Sequence, residues 1–175
     1  MQLSTWRVTY PNKSQVWFCQ WMADPVWADR YHNSRGKPLM YAANKKVVLD
    51  FISAMGRGDA NTAADCITPE TFTLAKGFGH FAGKRTHDTI LATIAAFKQL
   101  MPEGMSPSFK SVTAEGDRVV VEFEGNGKLV NGDDYCNEYC MVFMLSAGRI
   151  TQVNEYFCTL LADEKLWPLI GNMDL

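Results

Sequence analysis

The pattern of apolar and polar positions changes character near residue 108. Before that point it repeats with a helical period. Val47, Val48, Phe51, Ile52 and Met55 line one face of a helix, with Asn44 placed to cap it and Gly56 and Gly58 to stop it. Asp59 caps a shorter helix over roughly Ala60–Cys66, and Pro69 and Glu70 turn the chain. Thr71–Leu74 is rich in β-formers and begins a strand. Gly77, Gly79 and Gly83 punctuate a loop that holds His80 and Phe81. Thr86 caps the longest helix, about His87–Met101, with Ile90, Leu91, Ile94, Phe97 and Leu100 in one stripe; Pro102 and Gly104 end it.

From Ser108 the period is two. Phe109, Val112 and Ala114 precede a turn at Glu115–Asp117, and Arg118–Glu124 is a strand. Gly125, Asn126 and Gly127 interrupt it, as at a bulge or a sharp bend, and Lys128–Val130 resumes it. Asn131-Gly132 is a hairpin signal. Tyr135–Leu145 is the next strand, Ala147-Gly148 the next turn, and Ile150–Cys158 the last strand, followed by a helix over about Leu160–Leu166. Helices followed by sequential antiparallel strands predict an α+β fold, a strongly bent antiparallel sheet with helices on its concave side. Such a cone encloses a ready-made pocket.

Residues 1–39 stand apart as a Trp-rich extension, and residues 40–175 form the main domain. The extension holds Trp6, Trp17, Trp21 and Trp27 of the five tryptophans. Trp17 and Trp21 share a face of a short helix ending before Pro25, Asp24-Pro25 starts a second, and 32–38 reads as a polar linker.

At 175 residues the chain has the size of one domain with a sizeable core. A net charge of −2 with interspersed signs leaves no basic stripe, so nucleic acid is not an expected partner. No apolar run approaches the ~20 residues that span a bilayer, so no membrane partner is expected; residues 1–10 lack the apolar core of a secretory signal. Five scattered cysteines suit a reducing cytoplasm and read as buried, inert thiols. On one strand Cys136 and Cys140 lie about 13 Å apart, too far to bridge.

The strand region resembles the nuclear-transport-factor-2-like superfamily, which includes SnoaL-like polyketide cyclases, ketosteroid isomerases and limonene epoxide hydrolases. The residues that carry the likeness are Asn137, Tyr139, Phe143, Leu145, Gly148-Arg149-Ile150 and Asn154-Glu155-Tyr156-Phe157, with the glycine-broken strand and the Asn131-Gly132 hairpin. It covers roughly Tyr41–Gly171, and its last strands look most like SnoaL-like and phenazine-biosynthesis A/B type proteins. The resemblance implies an acid or base on the final strand, for which Glu155 is the matching position. It also implies a homodimer formed through the convex sheet face. Many relatives carry Asp where this chain has Cys158. The strand Glu122-Phe123-Glu124 lacks the Arg of the epoxide hydrolases, and the helix from Lys45 to Met55 lacks the Tyr of the steroid isomerases.

The residues themselves supply the candidate chemistry. Alternation puts Glu155 on one face with Thr151, Val153 and Phe157, where a desolvated carboxylate rises toward neutrality and suits general acid or base work; the plain alternative is a Glu at a sheet edge, or one paired with Lys or Arg. His80, on its glycine-rich loop, is a candidate to shuttle a proton with Glu155, or else a packing histidine. Tyr139 and Asn137 share a face with Tyr135, Met141 and Phe143, so Tyr139 could hold a substrate oxygen, whereas Phe143 reads as core. Phe157 and Phe81 complete the expected substrate-binding set. No Gly-x-Ser-x-Gly, Walker loop, dinucleotide fingerprint or His-x-x-x-His pair occurs, so a site without cofactor or metal is expected. The expected activity is isomerisation, cyclisation or dehydration of a small, mostly apolar molecule; the alternative is a ligand-binding protein of the same fold.

Overall fold

A computed structural model describes residues 38–170. Expectations that fall on residues 1–37, including the tryptophan helix, the helix starting at Asp24-Pro25 and most of the polar linker, lie outside the described residues.

The first helix, α1, runs Pro38–Arg57 and is the longest, with 20 residues. Asn44 is therefore not its cap: it sits within the helix and is buried. Pro38 takes the first helical position instead, where a missing N–H costs nothing. Helix α2 spans Ala60–Cys66 and is capped by Asp59, whose Oδ1 accepts from the Thr62 N–H at 3.0 Å. Strand β1 is Ile67–Ala75 and β2 is Gly83–Thr86. Helix α3 covers His87–Leu100. Strands β3 (Met105–Glu115), β4 (Arg118–Lys128), β5 (Asp134–Ser146) and β6 (Arg149–Phe157) follow. Two short helices, α4 (Thr159–Lys165) and α5 (Trp167–Ile170), close the described chain.

The six strands form one open sheet in the order β2-β1-β6-β5-β4-β3, with the helices on one side. The fold is the expected α+β class, with one exception to its antiparallel character. Strand β1 runs parallel to β6, because the chain leaves β1 through the β2 hairpin and α3 before returning to the sheet's far side. That pairing places Ala75 beside Glu155.

The glycine break in β4 is not a bulge. Residues 118–128 pair with β5 without any shift of register. Irregularities fall elsewhere: between Ile67 and Phe72, Phe109 and Ser111, and Met144 and Leu145. Gly125 answers instead to space. A Cβ there would lie 2.6 Å from Met105 Sδ and 3.0 Å from Tyr139 Cε2. The absent side chain lets the Tyr139 ring lie over the strand, stacked on Phe123 with centroids 4.8 Å apart.

The β4–β5 connection is also wider than the Asn131-Gly132 signal implies. Lys128 pairs with Asp134, leaving five residues, 129–133, in the loop. Asn131 Oδ1 accepts from the Asp133 N–H, a side-chain turn that replaces a tight two-residue one. At Ala147-Gly148 both φ angles are positive, 49° and 76°, as a type I′ hairpin turn requires.

The core lies between the sheet and α1 and α3. Val48, Phe51 and Ile52 from α1 and Ile90 and Ile94 from α3 meet Val121, Phe123, Phe143 and Val153 from the strands. Phe51 meets Phe143 edge-on at 6.2 Å.

Candidate active site

On the helix-facing side of the sheet, three neighbouring strands bring polar side chains into this apolar interior. Thr73 of β1 pairs across to Arg85 of β2 and alongside Val153 of β6, and Glu155 lies two residues further along β6. Arg85 Nη1 stands 3.6 Å from Glu155 Oε2, and the two side chains are only 20 % and 15 % exposed. Arg85 is also held from behind, its Nη2 donating to the Phe81 carbonyl at 2.6 Å. Thr73 Oγ1 is buried and makes no hydrogen bond among the described residues.

These groups line a cavity of about 90 Å³. Its walls are mainly apolar, built by side chains such as Phe51, Phe81, Phe97, Met141 and Phe157, with Tyr139 on the strand opposite Phe157. Burial pushes the Glu155 carboxyl above its ordinary value, while the Arg85 guanidinium draws it back down. Burial also holds the Tyr139 phenol well above its usual range, helped by the neighbouring Tyr135 and Glu155. A larger depression, about 720 Å³, extends along β3–β6 and is lined by outward residues such as Lys110, Glu122, Glu124 and Tyr156, together with Asn137, Tyr139 and Phe157. Its carboxylates bond locally, Glu122 to Ser111 Oγ at 2.6 Å and Glu124 to Asn126 Nδ2 at 2.7 Å. The inner cavity is the better candidate despite its size, because only there do a desolvated acid, a cation and a phenol converge.

Of the residues singled out from sequence, Glu155, Tyr139, Phe157 and Phe81 line the inner cavity. Three do not. Phe143 is fully buried against Phe51. Asn137 is buried and turned to the chain end, accepting from the Cys158 N–H at 3.3 Å and donating to its carbonyl at 3.1 Å. His80 is exposed: its ring stacks on Trp167 at 3.9 Å, and Nδ1 lies 3.4 Å from Asp163 Oδ2. The glycine-rich loop turns it toward α4 and α5, away from the cavity lining. The expectation of buried, inert thiols is corrected too: Cys66 is buried, but Cys136 and Cys158 are exposed. Among the described residues, no group of three or more His, Cys, Asp or Glu side chains is arranged to hold a metal ion, and no helix is long and apolar enough to cross a membrane.

Arg85 and Thr73 escaped the sequence reading. Strand β2 is four residues, Gly-Lys-Arg-Thr, with no apolar alternation to reveal it. Its pairing with β1 is what turns Arg85 inward.

Residues 48–153 match the family model of the SnoaL-like domain, which is more than half of the chain. The chain belongs to the SnoaL-like domain family. Solved structures share the fold of this SnoaL-like domain at low identity. Bal32a, from a soil-derived mobile gene cassette, is 20% identical with a TM-score of 0.62, the match covering 73% of this chain and 98% of that one. A protein assigned as a SnoaL-like polyketide cyclase from Jannaschia sp. CCS1 is 16% identical with a TM-score of 0.60, over 74% and 95%. TerC, co-crystallised with polyporic acid, is 18% identical with a TM-score of 0.58, over 70% and 97%. No curated protein matches the chain. At such identities the likeness establishes the fold alone.

Proposed function

We propose that the inner cavity is the active site of an enzyme that moves a proton on a small, mostly apolar carbonyl compound without a cofactor. Glu155 is the acid or base. The observation that carries this reading is a carboxylate 15 % exposed, 3.6 Å from Arg85, facing an apolar cavity. Burial makes a carboxylate in such a place hold a proton more readily than an exposed one, while Arg85 favours its ionised form. Tyr139 offers a hydroxyl to the substrate oxygen on which charge develops, and Phe81 and Phe157 supply apolar contact. Isomerisation, aldol-type cyclisation and dehydration share this proton transfer, and some relatives of the same fold are assigned as cyclases. His80, placed beside Asp163 and Trp167, has no role in the step.

The test is deuterium incorporation. Small enolisable ketones such as cyclopentanone are incubated in D₂O with the protein and followed by NMR. Exchange by the wild type that is lost in Glu155→Gln supports the reading; a Glu155→Gln protein that keeps the full rate rejects it.

The modest volume favours a second reading. About 90 Å³ is small against the ~300–1,000 Å³ of typical ligand sites, which suits a binder of a very small molecule without chemistry. Binding of a ketone with no exchange in the wild type supports that alternative. In either case we expect a homodimer through the sheet face opposite the helices, where Val120, Val142 and Met144 are only half-buried. A sedimentation mass of one 19.7 kDa chain would refute it.

A further inference from the structure

The hydroxyl of Tyr139 belongs to a chain of hydrogen bonds whose direction is fixed from one end. Asn137 forms two bonds with the backbone of Cys158, across to the residue that follows β6. A backbone N–H only donates and a carbonyl only accepts. The Asn137 amide can therefore sit in one orientation, with Oδ1 on the Cys158 N–H and Nδ2 on its carbonyl. Nδ2 lies 3.0 Å from the Tyr135 hydroxyl oxygen, which must accept its remaining hydrogen. Among the described residues the Tyr135 proton then has one acceptor, the Tyr139 oxygen at 3.1 Å. Among the described residues Tyr139 has no other hydrogen-bond partner. With its oxygen already accepting, its proton is left over, and both tyrosines line the cavity that Glu155 faces.

We infer that Asn137 and Tyr135 are positioning residues that aim the Tyr139 hydroxyl proton into the cavity, making the site a donor to a ligand oxygen such as a carbonyl or a carboxylate. This deepens the proposed function and rests on the cavity being the ligand site, but the direction of the chain is a property of the protein with or without catalysis. It also gives Asn137, which does not line the cavity, a reason to be buried: an amide is the one side chain of its size that can clasp both Cys158 backbone groups and still donate onward. Each phenol that accepts a bond becomes a better donor to the next, so a one-way chain strengthens the last O–H toward the ligand.

Neutron diffraction from a crystal of the perdeuterated full chain reads the direction without any ligand. The expected result is a deuteron on Tyr135 Oη pointing at Tyr139 Oη, and the Tyr139 deuteron turned toward the cavity. A Tyr139 deuteron lying between the two phenol oxygens overturns the inference. Asn137→Asp provides the reversal. Its protonated acid would donate to the Cys158 carbonyl through the oxygen that replaces Nδ2, and that same oxygen would accept from Tyr135. Both tyrosine deuterons should then swing round, with Tyr139 pointing at Tyr135; unchanged deuterons in a folded variant would also overturn the inference. Should the variant fail to fold, the wild-type map decides alone. Loss of ketone exchange in Glu155→Gln bears on the proposed reaction and leaves the deuteron positions untouched, so the two failures are distinguishable.

Discussion

The two faces of the β4–β6 sheet carry the same residue types and put them to different use. Glu155 and Tyr139 point toward the helices; Glu122, Glu124, Glu138 and Tyr156 point away. Outside, the Glu122 and Glu124 carboxylates have short polar partners, Glu122 is exposed and Glu124 half-buried, and Tyr156 is 46% exposed. Inside, one carboxylate faces a guanidinium across 3.6 Å in an apolar wall. A single step along a strand separates Tyr156 from Glu155, so alternation alone decides which acid is solvated and which is desolvated. Reactivity in this molecule is a matter of face more than of residue type.

Substitutions on the two faces should therefore diverge. The largest effect belongs to Glu155→Gln, which should lower ketone exchange about 10²–10⁴-fold with no loss of melting temperature; NMR rates and calorimetry check both. Phe143→Ala, on the inner face away from the cavity, should cost about 3–5 kcal/mol of stability in denaturant titration, as expected for emptying a fully buried aromatic site. Gly125→Ala should cost about 1–3 kcal/mol by overpacking, since the new methyl meets Met105 and the Tyr139 ring, and should lower exchange as well by shifting Tyr139. Glu138→Gln, on the outer face, should leave both readouts unchanged.

The contrast also has a pH signature. Burial raises the folded pKa of Glu155 above its value in the unfolded chain. Between those two values the folded state binds the extra proton. The contribution of this group to stability is therefore greatest below the unfolded pKa and declines as pH rises through the folded pKa. Glu155→Gln should remove that decline, so its stability advantage over the wild type should grow from acid to neutral pH, as urea unfolding at several pH values would show.

The faces were legible in the sequence wherever alternation was regular. The β5 positions from Tyr135 to Leu145 and the β6 positions around Glu155 follow the period of two, so cavity-lining Tyr139, Glu155 and Phe157 could be named from spacing together with the family resemblance. Sequence reasoning failed where tertiary contacts set the local structure. Strand β2 exists because β1 offers an edge, and with it Arg85 stayed hidden. His80 was mispositioned because a loop's direction depends on what it lands on, here Trp167 and Asp163 of the terminal helices. Gly125 was read as part of a bulge or a sharp bend; the register shows no bulge, and the missing side chain admits a ring from the neighbouring strand. Asn137 was rightly placed on the inner face, yet its partner is the backbone of Cys158, 21 positions away, which no spacing rule indicates.

The proposed chemistry requires Glu155 to be a desolvated acid governed by Arg85. A ¹³C NMR titration of its side-chain carboxyl, in the wild type and in Arg85→Leu, tests this directly. The expected result is a wild-type titration above the ~4.3 of a free glutamate and a further rise when the guanidinium is removed. A midpoint at or below that value, or one indifferent to Arg85 in a folded variant, would contradict the account.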